Sequence, residues 1–258
     1  MKNIPALDSK VLDLVTEISK EPKVEAAMAF IKDQTEVAMQ EQIELCEIEA
    51  PTFHEEKRAA SVAERMKQYG LTDVHIDEIG NVIGIRKGTG SGPVLAIGAH
   101  MDSVFPAGTD VKVKKEGNIY RAPGIGDNCS GLRALLQVLR AMEKEDIRTV
   151  GDIWFVGTVG EEGNGDIRGS KHLCANNKLD GFVAIDSTDV GRGLYGASAL
   201  TAGVWPWTVR ADTPLPTSAR FRAPSMRFAA PAISLPTSRF RKILRPPLRS
   251  VRSKAVQR

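Results

Sequence analysis

Over residues 8–48 the apolar positions fall at helical spacing: Val11, Leu12, Leu14, Val15 and Ile18, then Ala26, Ala27, Phe30 and Ile31. Two helical segments are expected there, divided at Pro22. After the Pro51 turn, residues 52–70 read as a further helix, charged on one side, with Gly70 in the C-terminal stop position. Residues 74–79 and 81–86 alternate like the arms of a hairpin. Residues 93–99 are almost continuously apolar, as expected of a strand buried on both faces in a largely parallel sheet. The same grammar repeats downstream, with a helix over 130–142, a buried strand over 152–158, a short helix over 167–176 and a third strand over 182–185.

The residues just past these strands change the picture. His100-Met101-Asp102 follows the first buried strand, Glu161-Glu162 the second, and Asp186 closes the third, while Gly126-Asp127-Asn128 leads into the helix between the first two. Open α/β sheets place their ligands at the carboxyl ends of strands, and unrelated surface acids would rarely gather there three times. Hydrolysis of an amide near neutral pH needs an activated water, a polarised carbonyl and a proton carrier. Two divalent ions about 3.5 to 4 Å apart supply the first two if a carboxylate bridges them. A carboxylate free of metal must then move the proton. Adjacent glutamates suit that split, one turned to a metal and the other to the water.

In wording as well as order, the motifs A-H-M-D-S-V-F-P-A-G, A-P-G-I-G-D-N-C-S-G and V-G-E-E-G-N-G-D-I-R-G-S resemble those of the dinuclear zinc exopeptidases and amidohydrolases. That family includes peptidase T, carboxypeptidase G, the aminoacylases and succinyl-diaminopimelate desuccinylase. The resemblance covers roughly residues 40–200. It implies a three-layer α/β catalytic domain with a mostly parallel central sheet, and two zinc ions, with cobalt or manganese as alternatives. Carried over by motif, His100 and Asp186 would bind one zinc and Glu162 the other, with Asp127 bridging both and preceding a cis peptide to Asn128. Asp102 would orient His100, and Glu161 would be the general base and acid. The substrate implied is a small peptide or an N-acyl amino acid, and relatives form homodimers through their lid domain.

Other histidines carry less. His54-Glu55 is no zincin motif, since Arg58 stands where a second His would be, and reads as a helix start. His172 reads as a packing or capping residue, and His75 carries no signal. Cys46, Cys129 and Cys174 include no C-x-x-C pair and are expected to be reduced, buried thiols. No run approaches the roughly 18 apolar residues of a membrane span, and the start lacks a signal-peptide core, so a cytoplasmic protein without a membrane partner is expected.

Charge divides the chain unevenly. Residues 1–212 hold 24 basic against 32 acidic side chains, whereas residues 213–258 hold 11 basic, none acidic, and seven prolines. Residues 1–202 are therefore read as the N-terminal portion of the catalytic domain, and 203–258 as a basic Pro/Ser-rich tail, disordered or out of frame. Nucleic-acid binding through the tail is disfavoured, because it offers few aromatics and no recognisable fold. The family pattern continues past residue 200 into the lid, with V-x-V-x-G-x-x-G-H-S, and later supplies a final His for the second zinc. Neither appears, so the second site and the domain are expected to be incomplete and this chain inactive. Codons permitted for Val204 to Pro214, read from the third base of the first, allow Val-Ala-Val-Asp-Gly-Pro-Gly-Gly-His-Ser. A frameshift near residue 200 is the expectation. Nucleotide sequencing of the source gene from the codon of Val190 should reveal that Gly-His-Ser motif and a later terminal His in a shifted frame. An uninterrupted original frame with neither would overturn it.

Overall fold

The structure is a computed structural model, and it describes residues 9–186. The tail assigned to 203–258 lies outside them. Three helices come first: α1 (Ser9–Ser19), α2 (Pro22–Asp33) and α3 (Thr35–Cys46). Pro22 occupies the first turn of α2, where its missing N–H has no partner to lose. The expected two segments are thus three, because the chain bends again at Gln34. All five apolar positions of α1 are exposed. Helix α4 (Glu56–Gln68) starts later than expected but ends as predicted, with Gly70 at φ +101°, a conformation that strains any side chain.

Strands β1 (Asp73–Ile76) and β2 (Val82–Arg86) form the expected antiparallel hairpin. Then come β3 (Leu95–His100), a small hairpin of β4 (Lys114–Glu116) and β5 (Ile119–Arg121), and helix α5 (Cys129–Lys144). Strand β6 (Ile153–Thr158), helix α6 (Arg168–Asn176) and strand β7 (Gly181–Ala184) follow. The β4–β5 hairpin has no counterpart among the sequence expectations. In the main sheet the order is β1-β2-β6-β3-β7. Strand β3 runs parallel to both β6 and β7, while β2 meets β1 and β6 antiparallel. The sheet is mixed, and its parallel half is the half that carries the candidate ligands.

Helices cover both faces. On one, Leu132, Leu135, Leu136 and Leu139 of α5 recur at helical spacing and are fully buried against Val62 and Met66 of α4 and Phe155 of β6. Truncating any one of these leucines to Ala would cost about 2 to 5 kcal/mol. On the other face, Leu173 of α6 packs with Ile83, Ala96 and Val156. Cys46 and Cys129 are buried free thiols as expected, but Cys174 is exposed, which corrects that expectation. Its helix buries Leu173 and Gly169 and turns Cys174 outward. No described helix is long and apolar enough to cross a membrane.

Arg58 is 2% exposed and donates to carbonyl oxygens, to Met101 at 2.7 Å and to Ile48 at 2.6 Å. It clips the end of α3 to the chain beyond β3. Arg58→Ala should lower unfolding free energy by about 3 kcal/mol, because one buried and one part-buried carbonyl lose their donor and a cavity opens. Urea unfolding checks this, and an unchanged midpoint would contradict it.

Candidate metal centre

Two neighbouring parallel strands deliver the first residues. His100 ends β3 beside Thr158, which ends β6, and Met101 N–H continues the pairing to Thr158 O at 2.8 Å. Past β6 the chain enters Glu161-Glu162. Asp186 follows β7, whose end is tied to β3 by Ile185 N–H to Gly98 O at 2.7 Å. Asp127 comes from the loop before α5. Asn128, 1% exposed, caps that helix by accepting from Gly131 N–H at 3.1 Å and donates to Ile185 O at 2.9 Å. One side chain therefore fixes both the start of α5 and the end of β7, which brings Asp127 and Asp186 to the same place. The Asp127–Asn128 peptide is cis, as the resemblance implied.

All six candidate residues converge. The ligand atoms of His100, Glu161 and Asp186 lie within 4.8 Å of one another, and so do those of His100, Asp127 and Glu162. His100 Nε2 stands 2.9 Å from Asp127 Oδ1 and 3.8 Å from Asp186 Oδ1. Its Nδ1 faces Asp102, 3.1 Å from the backbone oxygen and 3.5 Å from Oδ1. Asp102 holds the imidazole by Nδ1 and leaves Nε2 for the centre. Every donor in the set is N or O, the ring is fixed on its far side, and four carboxylates crowd one imidazole. That arrangement fits a divalent cation.

Electrostatics follow from the crowding. Burial opposes charge on His100, but the hydrogen bond and charge of Asp102, with Glu161 and Asp186, outweigh it and raise the imidazole from 6.5 to about 9. Burial likewise opposes charge on Asp102, yet His100, the amides of Glu161 and Glu162 and the Thr52 hydroxyl hold it down at about 2. Burial raises Glu161 first; the His100 charge offsets part, and Asp186, Asp102 and Asp127 add to the rise. Glu162 is raised by burial, then by Asp127 and Glu161.

Sequence reasoning gave Asn81 and Glu55 no part in holding this loop, and gave Asp102 only the orienting of His100. Four successive amides after β6 each donate to a buried side-chain oxygen: Val159 to Asn81 at 3.1 Å, Gly160 to Glu55 at 2.9 Å, Glu161 to Asp102 Oδ1 at 2.9 Å and Glu162 to Asp102 Oδ2 at 3.0 Å. Thr52 also donates to Asp102, at 2.8 Å. Arg58 is structural, as its carbonyl partners show. His172 pairs with Glu78 at 2.9 Å, away from the centre.

The folded His100 value exceeds the unfolded one, so its protonated form contributes stability that is fully present below pH 6.5 and lost as pH rises through about 9. Asp102 works in the opposite direction, its contribution being lost as pH falls from 3.8 toward about 2. Urea unfolding of the metal-free chain should therefore show stability declining between pH 6.5 and about 9, with His100→Gln flattening that slope. An equal slope in the variant would rule out His100 as its source.

Comparison with known proteins bears on the family and the fold. An N-carbamoyl-L-amino-acid amidohydrolase from Pseudomonas is 30% identical over 135 residues, 51% of this chain and 28% of that protein. A Pyrococcus abyssi protein named for LysW-lysine and LysW-ornithine hydrolysis is 35% identical over 120 residues, 46% of this chain and 32% of its own length. This chain spans about a third of the length of the curated relatives it matches. Among solved structures, the aminopeptidase PepT of Bacillus cereus superposes with a TM-score of 0.51 at 25% identity, covering 59% of this chain and 43% of that one. The profile of peptidase family M20/M25/M40 matches residues 96–238, more than half of the sequence, and the chain belongs to that family.

Proposed function

We propose that this chain carries the N-terminal portion of the catalytic domain of a metal-dependent hydrolase that cleaves small peptides or N-acyl amino acids. The observation that carries this reading is the meeting at His100 Nε2 of Asp127 Oδ1, at 2.9 Å, and Asp186 Oδ1, at 3.8 Å, with Glu161 and Glu162 beside them. His100, Asp127 and Asp186 would hold one ion, and Asp127 with Glu162 a second, Asp127 being common to both. Zinc is the proposed metal, with cobalt or manganese able to stand in. When bound, the ions lower the pKa of a water and polarise the scissile carbonyl. The chain's own part is positional and protic. Asp102 fixes the His100 ring so that Nε2 faces inward. Glu161, raised above the usual carboxylate range by burial, is suited to take a proton from the water and return it to the leaving nitrogen.

Names among the relatives support the substrate class: an aminopeptidase and an N-carbamoyl-L-amino-acid amidohydrolase both break a C–N bond next to an amino acid. A cytoplasmic setting and a homodimer of the complete protein belong to the same proposal. A second reading is that this particular chain does not turn over. Its support is that both ligand groups draw on the same imidazole, whose Nδ1 is already taken by Asp102. Among the described residues the Glu162 position then keeps only carboxylates, which favours one strong ion and one weak.

Cobalt titration of the chelator-stripped chain should fill one site per chain, with His100→Ala and Asp127→Asn each weakening it by about tenfold or more. Glu161→Ala should leave that binding nearly unchanged. Two sites of equal affinity would overturn the shared-imidazole reading. Hydrolysis of a panel of dipeptides and N-acyl amino acids by the pure chain, lost in Glu161→Ala, would overturn the inactive reading and support the hydrolase. Hydrolysis that survives Glu161→Ala would remove Glu161 from its proposed role.

A further inference from the structure

Glu55 is 3% exposed at the start of α4, where an acid ordinarily caps the helix or faces solvent. It does neither. Its side chain makes no capping bond to α4. Instead Oε1 accepts the Gly160 amide at 2.9 Å, and both oxygens accept Arg168 Nη2 at 3.0 Å. Burying a carboxylate costs several kcal/mol unless charge and hydrogen bonds compensate it. Here both compensations come from the segment that carries the two glutamates.

Arg168 completes the grip. Its Nη1 donates to Ile79 O at 2.8 Å, and its guanidinium lies over the Phe53 ring, 5.3 Å from the centroid. Its own amide donates to Gly160 O at 3.1 Å, so Gly160 is held at N–H by Glu55 and at C=O by Arg168. At Gly160 φ is +59°, and a Cβ there would stand 2.5 Å from Arg168 Nε, so glycine lets the guanidinium stem lie on the backbone. The amides of Val159, Glu161 and Glu162 are taken by Asn81 and Asp102. The Gly160 amide, next to Glu161, depends on Glu55, which is not one of the residues gathered at the centre.

We propose that Glu55, acting through Gly160 and Arg168, is a positioning residue that sets where the Glu161 and Glu162 carboxylates stand. It touches neither substrate nor metal. This rests on the reading that those glutamates move the proton and bind an ion. The charge matters as well as the oxygen: Gln at 55 could still accept from Gly160, but Arg168 would lose its counter-ion and its reason to lie flat on the loop.

Amide-resolved hydrogen exchange and cobalt titration of the full chain test this together. Glu55→Gln should speed exchange at Glu161 and Glu162 by about tenfold in the metal-free chain, although their acceptor Asp102 is untouched. It should also weaken cobalt binding by about tenfold and alter the cobalt visible spectrum. Glu55→Ala should do more of both if it folds, and Glu55→Gln decides the matter if it does not. The control is Glu143→Gln, which breaks the buried Arg86 pair at the other end of the sheet, where Arg86 lies beside Ile153. At a similar loss of Tm it should change neither readout. Unchanged exchange at Glu161 and Glu162 in Glu55→Gln, or an equal response in Glu143→Gln, would overturn the proposal. A wild-type chain that takes up no cobalt overturns the hydrolase reading instead, and the exchange comparison alone then decides whether Glu55 holds the segment.

Discussion

The Asp102 carboxylate is the constraint on which the rest depends. It is 0% exposed, and no Lys or Arg pairs with it among the described residues. An ionised carboxylate survives such burial only if donors surround it. These are the Thr52 hydroxyl, the Glu161 and Glu162 amides and the His100 ring. They come from three separate stretches of chain, the Pro51 turn, the end of β3 and the loop after β6. Satisfying one buried charge therefore assembles the candidate centre. The isolated bridge between Pro51 and Ser103 and the Ser103 amide bond to Ala50 O, at 2.9 Å, bring the first stretch within reach.

Much of this was legible in the sequence, for reasons that belong to particular elements. Strands β3 and β6 are covered on both faces, so they read as apolar runs, and the residues just beyond them stood out by contrast. Helix α5 buries one face, and its leucines keep the period. The β4–β5 hairpin was not legible because its strands are three residues long and its residues are exposed or half-buried, so no alternation marks them. The stripe along α1 was legible as a helix, but periodicity alone does not tell a covered face from an exposed one. Glu55, Asn81 and Arg168 were missed for a different reason. Their roles are closures over long stretches of chain: Gly160 to Glu55 spans 105 residues, Arg168 to Glu55 113, and Val159 to Asn81 78. Local context showed a helix start at Glu55, the first residue of a hairpin arm at Asn81 and a position in a short helix at Arg168.

The centre is short of positive charge. Five carboxylates, from Asp102, Asp127, Glu161, Glu162 and Asp186, gather round one imidazole; His100 is shifted upward by these charges against its burial, and both glutamates are shifted upward by burial first, with the neighbouring carboxylates adding to it. A proton on His100 Nε2 relieves part of it in the metal-free chain. A divalent cation would relieve more, and it would need that proton to leave, so ion and proton compete for one nitrogen. Asp102 biases the competition through Nδ1: it keeps the ring oriented whichever partner Nε2 has.

The same carboxylate separates the positions of two adjacent glutamates. Each of its oxygens accepts one of their amides, at 2.9 and 3.0 Å, so neither peptide can rotate independently. Glu162 has φ −79° and ψ 141°, an extended conformation in which neighbouring side chains leave the backbone on opposite sides. Glu161 accordingly reaches the group with Asp186, and Glu162 the group with Asp127. Equal in chemistry and adjacent in sequence, the two differ only in the direction the pinned backbone gives them. A loop free to turn would let them exchange places, and on the proposed roles a proton carrier would then become a ligand. The anchoring of four successive amides after β6 therefore belongs to the proposed chemistry as much as to the fold.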